Sequence, residues 1–474
     1  MRLAMMPGIL RMRASLAVPD RREKARLRIV SLIFIIYWLL IFEGALRKWA
    51  FPEFEKILFF IRDPFVLLVY WFAFRNRFFP KKSWLLIGAI LLGVLMTPVI
   101  VIQTMTLNLN PLIMFYGWRN YFFYVPLAFV IGECFKTTDL VRMVRQSLIV
   151  AIPMAVLVYF QFLSPPDSFI NKAVTKDAFI FKVSGDIVRT TGTFTFTAGH
   201  SLFVGSIVAM LMIVWLIPAG SRPIKRTVLW LATGAAATMI ALSGSRTVFF
   251  LVALSLLGLI TAGMLIHRLR ARAIWIPAML SVIGAVIFIF AFPTAFEAMS
   301  QRQADAAMQE GSTVTRAFSS FYNFVDVLPE APNIGYGLGF GTGGGSSLAT
   351  GLAQFTLAED EWSRIILEIG PFLGFLYILF RVALVSSLLL RSIKEARNAN
   401  NPLPLILLSF IGMPLLNGPI TMQGTINGYG WIFCGFCLAA IKTSQVATVN
   451  KSAAKSILTQ NTINSWASRI QGVK

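Results

Sequence analysis

Long apolar stretches separated by short polar loops run through most of the chain. A membrane-spanning helix needs roughly 17–25 mostly apolar residues, and twelve stretches approach that length. Their expected limits are 29–46, 57–74, 83–105, 112–132, 147–163, 199–217, 227–243, 246–266, 273–294, 363–390, 402–417 and 421–441. The pattern predicts an all-α, polytopic integral membrane protein with about twelve transmembrane helices and a long outer loop before the tenth.

These stretches divide the chain into three parts. Residues 1–28 form a basic N-terminus, residues 29–441 form the membrane domain, and residues 442–474 form a basic tail. The first apolar run has no small-residue cleavage site, so we expect it to be kept as an uncleaved first span. The tail fits either an interfacial amphipathic helix or a disordered end.

Two connecting segments are long, 164–199 and 293–361. Loops beyond about 15 residues are usually functional or disordered. The second segment is predicted to contain short helices at Ala304–Met308 and Thr313–Phe324, followed by the glycine-rich run Gly335–Gly345. Because no strand precedes this run and we expect no helix with a phosphate-binding N-terminus after it, a nucleotide site is not indicated. A tight loop beside a substrate and a disordered connector both fit.

Basic residues support the layout of the spans. If the N-terminus is cytoplasmic, every loop that then lies inside is basic, as the positive-inside rule expects. Those loops carry Arg75, Arg77, Lys81 and Lys82; Lys136, Arg142 and Arg145; Arg222, Lys225 and Arg226; Arg268, Arg270 and Arg272; Arg391, Lys394 and Arg397; and Lys442 with the tail. Both termini are therefore expected in the cytoplasm.

Composition agrees with a membrane protein. Hydrophobic residues make up 57% of the chain and charged residues 14%, against about 45–50% and 25% in soluble proteins. A net charge of +22 would suggest nucleic acid as the partner of a soluble chain. Here basic loops that set the topology and contact anionic membrane lipids account for it, so nucleic-acid binding is not expected.

The cysteines are Cys134, Cys434 and Cys437. The last two form a CxxC inside the final apolar span, without the βαβ context that a redox pair needs. We expect small buried residues at a helix contact and no disulfide framework. No metal site is predicted.

Five arginines fall inside apolar segments or at their outer ends: Arg119, Arg189, Arg246, Arg316 and Arg364. A cation near the bilayer centre costs about 2.5–3.5 kcal/mol on insertion scales. A chain that keeps several of them toward its outer face is expected to bind an anionic ligand there.

Two of these arginines lie beside polar motifs. Arg246 ends the tight outer turn Ser243-Gly-Ser-Arg246, where snorkelling to lipid phosphate and a bidentate donor to a phosphorylated lipid both fit. Arg189 precedes Thr190–Thr197, whose hydroxyls suit a sugar or phosphate but equally an ordinary helix start. His200 follows, and a lone histidine is more often a capping or packing residue than a catalyst.

An acidic cluster marks the end of the long outer loop. Glu359, Asp360 and Glu361 precede an apolar run that contains Arg364 and Glu368. Carboxylates are favourable at a helix N-terminus, which is the plain interpretation. However, Arg364 and Glu368 have i,i+4 spacing on one helix face, and ionisable residues inside a membrane are functional candidates. A carboxylate at a partly desolvated site can act as a general base.

Taken in order, these motifs resemble the O-antigen ligase and polymerase superfamily, membrane glycosyltransferases that use polyprenyl-diphosphate-linked glycans. The resemblance covers roughly residues 115–390. It rests on Arg189-Thr-Thr-Gly-Thr-Phe, Ser243-Gly-Ser-Arg246, Arg316 ahead of Gly335–Gly341, and Glu359–Gly374 with its Glu368-Ile-Gly370. It implies a helical fold of the type C glycosyltransferase kind in a bacterial inner membrane, with a glycan or lipid-linked acceptor. Nucleotide sugar, metal and other cofactors are not required.

The resemblance also assigns residues to roles. It implies that Arg189, Arg246 and Arg316 hold the lipid diphosphate, and that Arg364 and Glu368 line the substrate site.

The family usually has His-Asn nine and eight residues before the Glu of Glu-x-Gly, and this chain has Glu359 and Asp360 there. Either carboxylate is the expected base. The departure favours polymerisation of O-antigen or exopolysaccharide over ligation to lipopolysaccharide.

Two other classes of protein fit the layout. A lipid-linked oligosaccharide flippase or anion permease also has twelve spans with both ends inside. Transporters usually place their sites near the midplane, in two related halves, whereas this chain shows no similarity between its halves and gathers ionisable residues at the outer face. A scaffold within a polysaccharide export complex is the third alternative.

Overall fold

The computed structural model describes residues 20–174, 187–294, 296–297, 300, 319–350, 357–443 and 445. These residues are helical, with no β-strand among them. The helices are α1 (Arg21–Ala45), α2 (Glu55–Leu58), α3 (Asp63–Arg75), α4 (Trp84–Leu107), α5 (Pro111–Trp118), α6 (Val125–Cys134), α7 (Thr137–Leu163), α8 (Thr197–Leu216), α9 (Arg226–Leu242), α10 (Arg246–Leu265), α11 (Arg270–Val286), α12 (Phe324–Val327), α13 (Gly343–Thr350), α14 (Glu361–Ile369), α15 (Pro371–Ala399), α16 (Leu403–Asn417) and α17 (Gly424–Thr443). Turns of π-helix follow α1, α5 and α11 at Leu46–Ala50, Arg119–Phe123 and Ile287–Ala291.

Some predictions lie outside the described residues. Arg316 is one of them, together with the expected helix Ala304–Met308, the first half of Thr313–Phe324 and most of the tail.

The prediction of a polytopic helical membrane protein is confirmed. In the described part of the chain, nine helical stretches are long and apolar enough to cross a membrane. They are Arg21–Ala50, Pro52–Arg75, Trp84–Leu107, Thr137–Leu163, Thr197–Leu216, Arg246–Leu265, His267–Ala291, Pro371–Ala399 and Gly424–Thr443. Two further apolar helices, α9 and α16, are shorter. The count of twelve spans stays a prediction.

Two of the expected spans are interrupted far from their ends, in addition to the turn that separates α2 from α3. The stretch 112–132 consists of α5, the π-helical turn Arg119–Phe123 and α6, and Pro126 at the start of α6 has no amide to continue a regular helix. The stretch 363–390 breaks between α14 and α15 at Gly370, whose φ is +81°. That left-handed conformation suits glycine and ends α14.

The first helix begins at Arg21, eight residues before the expected start at Ile29. Its early turns stay ordered because Arg26 is buried and paired. The guanidinium donates to Asp139 at 2.6 Å and to the Cys134 carbonyl at 2.8 Å. The polar N-terminal segment therefore joins α1 to α6 and α7.

Helices α8 and α17 lie at the centre of the bundle, with 89% of the most apolar stretch of each buried. Small residues allow close packing: a Cβ at Gly435 of α17 would lie 2.6 Å from Ile131 of α6. Cys434 and Cys437 are buried here without a disulfide, as expected. Peripheral helices leave large apolar side chains exposed, such as Val94 and Trp275, which is the surface that lipid covers in a membrane.

Candidate functional site

Six charged side chains meet where α1 ends, at what we call the distal end of the bundle. This distal basic cluster consists of Glu43, Arg47, Lys48, Arg62, Asp63 and Arg119, and each is at most 17% exposed. Glu43 accepts from Arg62 Nε at 3.0 Å and from Arg47 Nη1 at 3.3 Å. Arg47 and Lys48 lie in the π-helical turn after α1, a local geometry frequent at functional sites.

Asp63 holds the other half of the cluster. Its carboxylate accepts from Arg119 Nε at 2.6 Å and Nη2 at 2.8 Å, a bidentate pair, and from the Tyr124 hydroxyl at 2.7 Å. The remaining Arg119 nitrogen, Nη1, donates to Asn120 Oδ1 at 3.0 Å. Every side-chain nitrogen of Arg119 thus donates a hydrogen bond to another residue of the protein.

The cluster carries surplus positive charge. Among the five members that ion pairs and ring contacts link, three arginines less two carboxylates leave a surplus of one, and the ammonium of Lys48 lies apart on Gly192 and Thr191. Arg47 and Arg119 lie on the Phe59 ring, each 5.3 Å from its centroid, and such cation–π contacts offset part of the desolvation. Among the described residues, Arg47 Nε and Arg62 Nη1 are buried without a hydrogen-bond partner. A desolvated cationic surplus of this kind is stabilised by an anion.

Lys48 joins the cluster to the segment before α8. Its ammonium donates to the Gly192 carbonyl at 2.9 Å and to the Thr191 hydroxyl at 3.1 Å. Gln161 of α7 contacts Gly192 twice, at 2.8 Å and 3.1 Å, so the backbone is held from both sides. His200 is buried nearby, and neither ring nitrogen bonds to a described residue; it packs in α8.

The other hydroxyls of this segment fasten it to the bundle. Thr193 donates to a carbonyl of α1 at 2.6 Å, and Thr190 donates to the Leu242 carbonyl at the end of α9 at 3.0 Å. These bonds favour an ordinary structural role for the hydroxyls of Thr190–Thr197 over the binding of a sugar or phosphate. They also bring Arg189 beside the turn that carries Arg246, so the two predicted arginines belong to neighbouring segments.

An apolar cavity of about 310 Å³ lies between α8, α10 and α16. Ala198 and Leu251 are among its apolar lining residues, while Thr247 and Asn417 add polar groups. Thr247 directly follows Arg246 at the start of α10. The cavity lining is therefore mainly apolar, and the residue that precedes Thr247 in the chain is the cationic Arg246.

A second charged group, which we call the buried ion network, consists of Glu361, Arg364, Glu368 and Arg381. All four side chains are 0% exposed. Arg364 donates to Glu368 Oε1 at 2.8 Å, which confirms the i,i+4 pairing expected from the spacing, and to Glu361 through its other terminal nitrogen. Arg381 of α15 donates to Glu361 at 2.8 Å. Two cations and two carboxylates leave the network neutral.

Both carboxylates have further donors. Glu361 accepts from the amide and hydroxyl of Thr421 at 3.0 Å and 2.9 Å. Glu368 accepts from the Tyr121 hydroxyl at 2.7 Å and from the Gly341 amide at 3.0 Å. The network therefore ties the π-helical turn after α5, the glycine-rich run and the segment before α17 to one helix.

Arg381 extends the network to the wall of the apolar cavity. Its guanidinium donates to the carbonyls of Leu415, at 2.8 Å, and Gly418, at 2.7 Å. Gly418 lines the cavity. The last carbonyls of α16 have no donor within the helix, and Arg381 supplies donors to them at the C-terminal end of α16.

The glycine-rich run is a tightly turned, buried loop around the end of α14. Gly335, Gly337 and Gly339 have φ of +74°, +122° and +82°, which explains why glycine occupies these positions. Gln103 of α4 donates to the Glu368 carbonyl at 2.8 Å and accepts from the loop. A helix, α13, begins at Gly343 inside the run. The prediction that no helix with a phosphate-binding N-terminus follows stays a prediction.

The three neighbouring acids have different environments. Asp360 caps α14 by accepting from the Ser363 amide at 3.0 Å, as the plain interpretation of the acidic cluster expected. Glu359 is exposed. Glu361, which the sequence did not single out, is the acid in the buried ion network. Of the two proposed bases, Glu359 is the one that faces solvent.

Arg364 and Glu368 lie deep in the protein, paired with each other, and neither faces a surface. Of the residues in the two charged groups, the sequence interpretation missed Glu43, Arg62 and Asp63, as well as the cations Arg47, Lys48 and Arg381. A signal for them was present: Arg47 and Lys48 fall in a loop expected outside, against the positive-inside rule, and Arg381 falls in the middle of an expected span.

Among the described residues, no group of three or more His, Cys, Asp or Glu side chains is placed to hold a metal ion. No protein-family model matches the chain, and no curated protein matches it significantly.

Proposed function

We propose that the protein is a membrane glycosyltransferase of the O-antigen ligase and polymerase type. It polymerises or ligates glycan from a polyprenyl-diphosphate-linked donor at the outer face of a bacterial inner membrane. The observation that carries the proposal is the apolar cavity of about 310 Å³ whose edge residue Thr247 follows Arg246. An apolar pocket beside a guanidinium suits an amphiphile with an anionic head group.

The distal end lies outside in this proposal. The nine long helices, the shorter α9 and α16, and the interrupted stretch from α5 to α6 make twelve crossings. Both termini are then cytoplasmic, and the basic loops lie on their side of the membrane.

Each site residue has a role in the transfer. Arg246 and Arg189 bind the diphosphate and stabilise the charge that develops on it. The acceptor hydroxyl oxygen attacks the anomeric carbon, the bond from that carbon to the diphosphate oxygen breaks, and the electron pair leaves with the polyprenyl diphosphate. Glu359 takes the hydroxyl proton. Arg364 and Glu368 act as positioning residues through the buried ion network, and one displacement inverts the anomeric centre.

The test supplies purified protein with a polyprenyl-diphosphate oligosaccharide, without nucleotide sugar or metal. We expect free polyprenyl diphosphate together with a lengthened or transferred glycan. The acceptor that is used then separates polymerase from ligase. Donor binding without either product, over a range of acceptors, would contradict the proposal.

Matched variants test the site. Arg246→Gln should lower donor turnover about 10- to 100-fold, because a charge-assisted bond to phosphate contributes about 1.5–3 kcal/mol. Arg226→Gln is the control, since Arg226 is also the first residue of a helix but begins α9, in a loop expected on the cytoplasmic side. Ala198→Phe should block the cavity. Ala285→Phe alters a second apolar cavity, also about 310 Å³, and should leave turnover unchanged.

One observation favours a transporter as the second candidate. The stretches 111–134 and 361–399 are interrupted, and charged residues lie at both breaks, as in transporters with discontinuous helices. A flippase would move a fluorescent lipid-linked oligosaccharide across liposomes without consuming it. Movement without release of polyprenyl diphosphate would favour this candidate.

A further inference from the structure

Arginines from two different loops meet at the C-terminal end of α8. Arg222, in the loop before α9, donates to the Ile217 carbonyl at 3.0 Å and to the Trp215 carbonyl at 3.4 Å. Arg272, the third residue of α11, donates to the Leu216 carbonyl at 2.9 Å. Because Leu216 lies between the other two acceptors in the chain, the two guanidinium groups lie close together. We call Arg222 and Arg272 the arginine pair.

No acid of the surrounding helices neutralises the arginine pair. Positions 187–296, which include α8 to α11, contain neither Asp nor Glu. Burial lowers the pKa of Arg222 below its ordinary value, and the positive charges of Arg272 and Arg226 lower it further. The end of α8 offers only about half an elementary negative charge. The two guanidinium groups therefore repel each other, and an anion between them lowers their energy.

The arginine pair lies at the end of the bundle opposite the distal end. The segment before α8 bonds to α1 near its C-terminus and to the Leu242 carbonyl at the end of α9, so α8 ends, and α9 begins, where α1 starts. Basic residues of other helices meet acids there. Arg26 Nη1 of α1 lies 2.6 Å from Asp139 Oδ2, and Lys442 Nζ of α17 lies 2.6 Å from Glu133 Oε1. The arginine pair thus differs from these residues in having its charge uncompensated.

Two tryptophan rings indicate that the arginine pair lies at the level of lipid head groups. The rings of Trp215 and Trp230 pack edge to face with centroids 4.7 Å apart, and Trp230 is 39% exposed. The Arg222 guanidinium lies 4.7 Å from the centroid of the Trp215 ring, and the Trp215 indole NH donates to the Thr233 hydroxyl at 3.2 Å. Tryptophan is enriched where a membrane meets water, and a guanidinium at that depth matches phosphate oxygens bidentately.

We propose that Arg222, Arg272 and Trp215 form a specific binding site for an anionic glycerophospholipid of the leaflet at this end of the bundle. The lipid phosphate bridges the two arginines and so joins the loop before α9 to the start of α11. The acyl chains contact exposed apolar side chains of the same two helices, such as Leu231, 59% exposed, and Trp275, 74% exposed. The bound lipid compensates a charge that the chain itself leaves unpaired.

This site is separate from the proposed glycan transfer. It lies at the opposite end of the bundle from Arg246, which begins α10 directly after the end of α9. Its ligand is a lipid of the surrounding bilayer and not a glycan donor. The test below measures lipid binding and not transfer, so either proposal can fail while the other stands.

The experiment is native mass spectrometry of the purified full chain in neutral detergent, which counts bound lipid molecules and gives the affinity for the first. One arm adds phosphatidylglycerol, a second adds zwitterionic phosphatidylcholine, and a third adds inorganic phosphate as a competitor of phosphatidylglycerol. The first phosphatidylglycerol should bind about 10- to 30-fold more tightly than phosphatidylcholine, because each arginine near a lipid head group contributes about 1 kcal/mol. Inorganic phosphate at the same concentration should not displace it.

Matched variants test the arginines. Arg222→Gln and Arg272→Gln should each weaken phosphatidylglycerol binding about fivefold, and the double variant about 25-fold, while phosphatidylcholine binding stays the same. The control Arg391→Gln removes an exposed arginine of α15 at the same end of the bundle, where Glu395 accepts from Gln445 beyond α17, and should change binding less than about twofold. Size-exclusion profiles report folding, and Arg272→Gln, which removes a single bond to α8, covers the case in which Arg222→Gln does not fold.

The outcomes separate a specific site from general attraction between basic loops and anionic lipid. Weaker phosphatidylglycerol binding in Arg222→Gln or Arg272→Gln, with Arg391→Gln unchanged, supports the site. An equal loss in Arg391→Gln identifies general attraction and overturns the proposal, as does phosphatidylglycerol that binds no more tightly than phosphatidylcholine. Displacement by inorganic phosphate at equal concentration would assign the arginine pair to a free anion and overturn the assignment to a lipid.

Discussion

Replacing Glu361 by glutamine would remove one charge from the buried ion network while keeping the shape of the side chain. The carboxylate accepts from Arg381 at 2.8 Å, from the amide and hydroxyl of Thr421 at 3.0 Å and 2.9 Å, and from Arg364. In Glu361→Gln, the amide oxygen can satisfy only some of these donors. The new NH₂ group faces cations, and the network changes from neutral to a charge of plus one.

The expected loss of stability depends on the hydrogen-bond acceptors that Arg364 and Arg381 retain in Glu361→Gln. Breaking a buried ion pair by removing one partner costs about 3–5 kcal/mol. Arg364 keeps Glu368 at 2.8 Å, and Arg381 keeps the Leu415 and Gly418 carbonyls. Because neither arginine is left without an acceptor, we expect the lower end of that range, about 3 kcal/mol. That is a large part of the stability of an ordinary domain, about 5–15 kcal/mol.

The assay is equilibrium unfolding in mixed micelles with increasing dodecyl sulfate, followed by tryptophan fluorescence. Trp362 adjoins Glu361 and donates to the Leu416 carbonyl at 3.0 Å, so this region contributes to the signal of the eleven tryptophans. The matched control is Glu359→Gln, which changes an exposed acid two residues away. It should alter stability by less than about 0.5 kcal/mol, yet lower glycan transfer about 10²- to 10⁴-fold if Glu359 is the general base.

A Glu361→Gln protein that unfolds within about 0.5 kcal/mol of the wild type would refute the structural role of the network. A stable Glu361→Gln protein that loses transfer while Glu359→Gln stays active would move the base to Glu361. The double variant Glu361→Gln/Arg381→Gln adds a further check. It should cost less than the sum of its single variants by about 0.5–3 kcal/mol, because the two residues are in contact.

Two more predictions concern stability and use the same unfolding assay. Gly370→Ala should destabilise by at least about 1–3 kcal/mol, because φ is +81° and a Cβ there would collide with a backbone carbonyl; Gly284→Ala, with nothing within 4 Å, should not. Arg26→Gln should cost about 3–5 kcal/mol by leaving Asp139 without its buried partner, whereas Lys136→Gln, whose side chain is 55% exposed, should cost at most about 1 kcal/mol. If a variant and its control lower the free energy of unfolding equally, the structural role assigned to Gly370 or to Arg26 is wrong.

The positions of the helices could be predicted from the sequence because lipid requires long apolar runs. The stretches expected at 83–105 and 246–266 agree with α4 and α10 within about two residues. The breaks were harder to place. Gly370 and Pro371 are visible in the sequence, but only the packing of the neighbouring loop shows that the chain turns sharply at Gly370.

The candidate site was only partly predictable for a local geometric reason. Glu359, Asp360 and Glu361 are chemically alike in the sequence, and which of them is buried depends on where α14 starts. Asp360 accepts from the Ser363 amide, which fixes it as the N-cap and makes Glu361 the first helical residue. Its partner Thr421 lies sixty positions along the chain, a contact that no spacing rule predicts.

The distal basic cluster and the buried ion network meet at the π-helical turn after α5. Arg119 faces Asp63, whereas Tyr121, two residues on, donates to Glu368. Between them, the Asn120 carbonyl accepts from Asn427 of α17 at 2.6 Å. Arg119 and Tyr121, two positions apart, thus contact charged groups that differ in net charge. The network is neutral, so an added anion would cost desolvation without a free cation to offset it. The cluster has more cations than carboxylates, so the two charged groups that meet at this turn differ in net charge, and the network holds the turn in place.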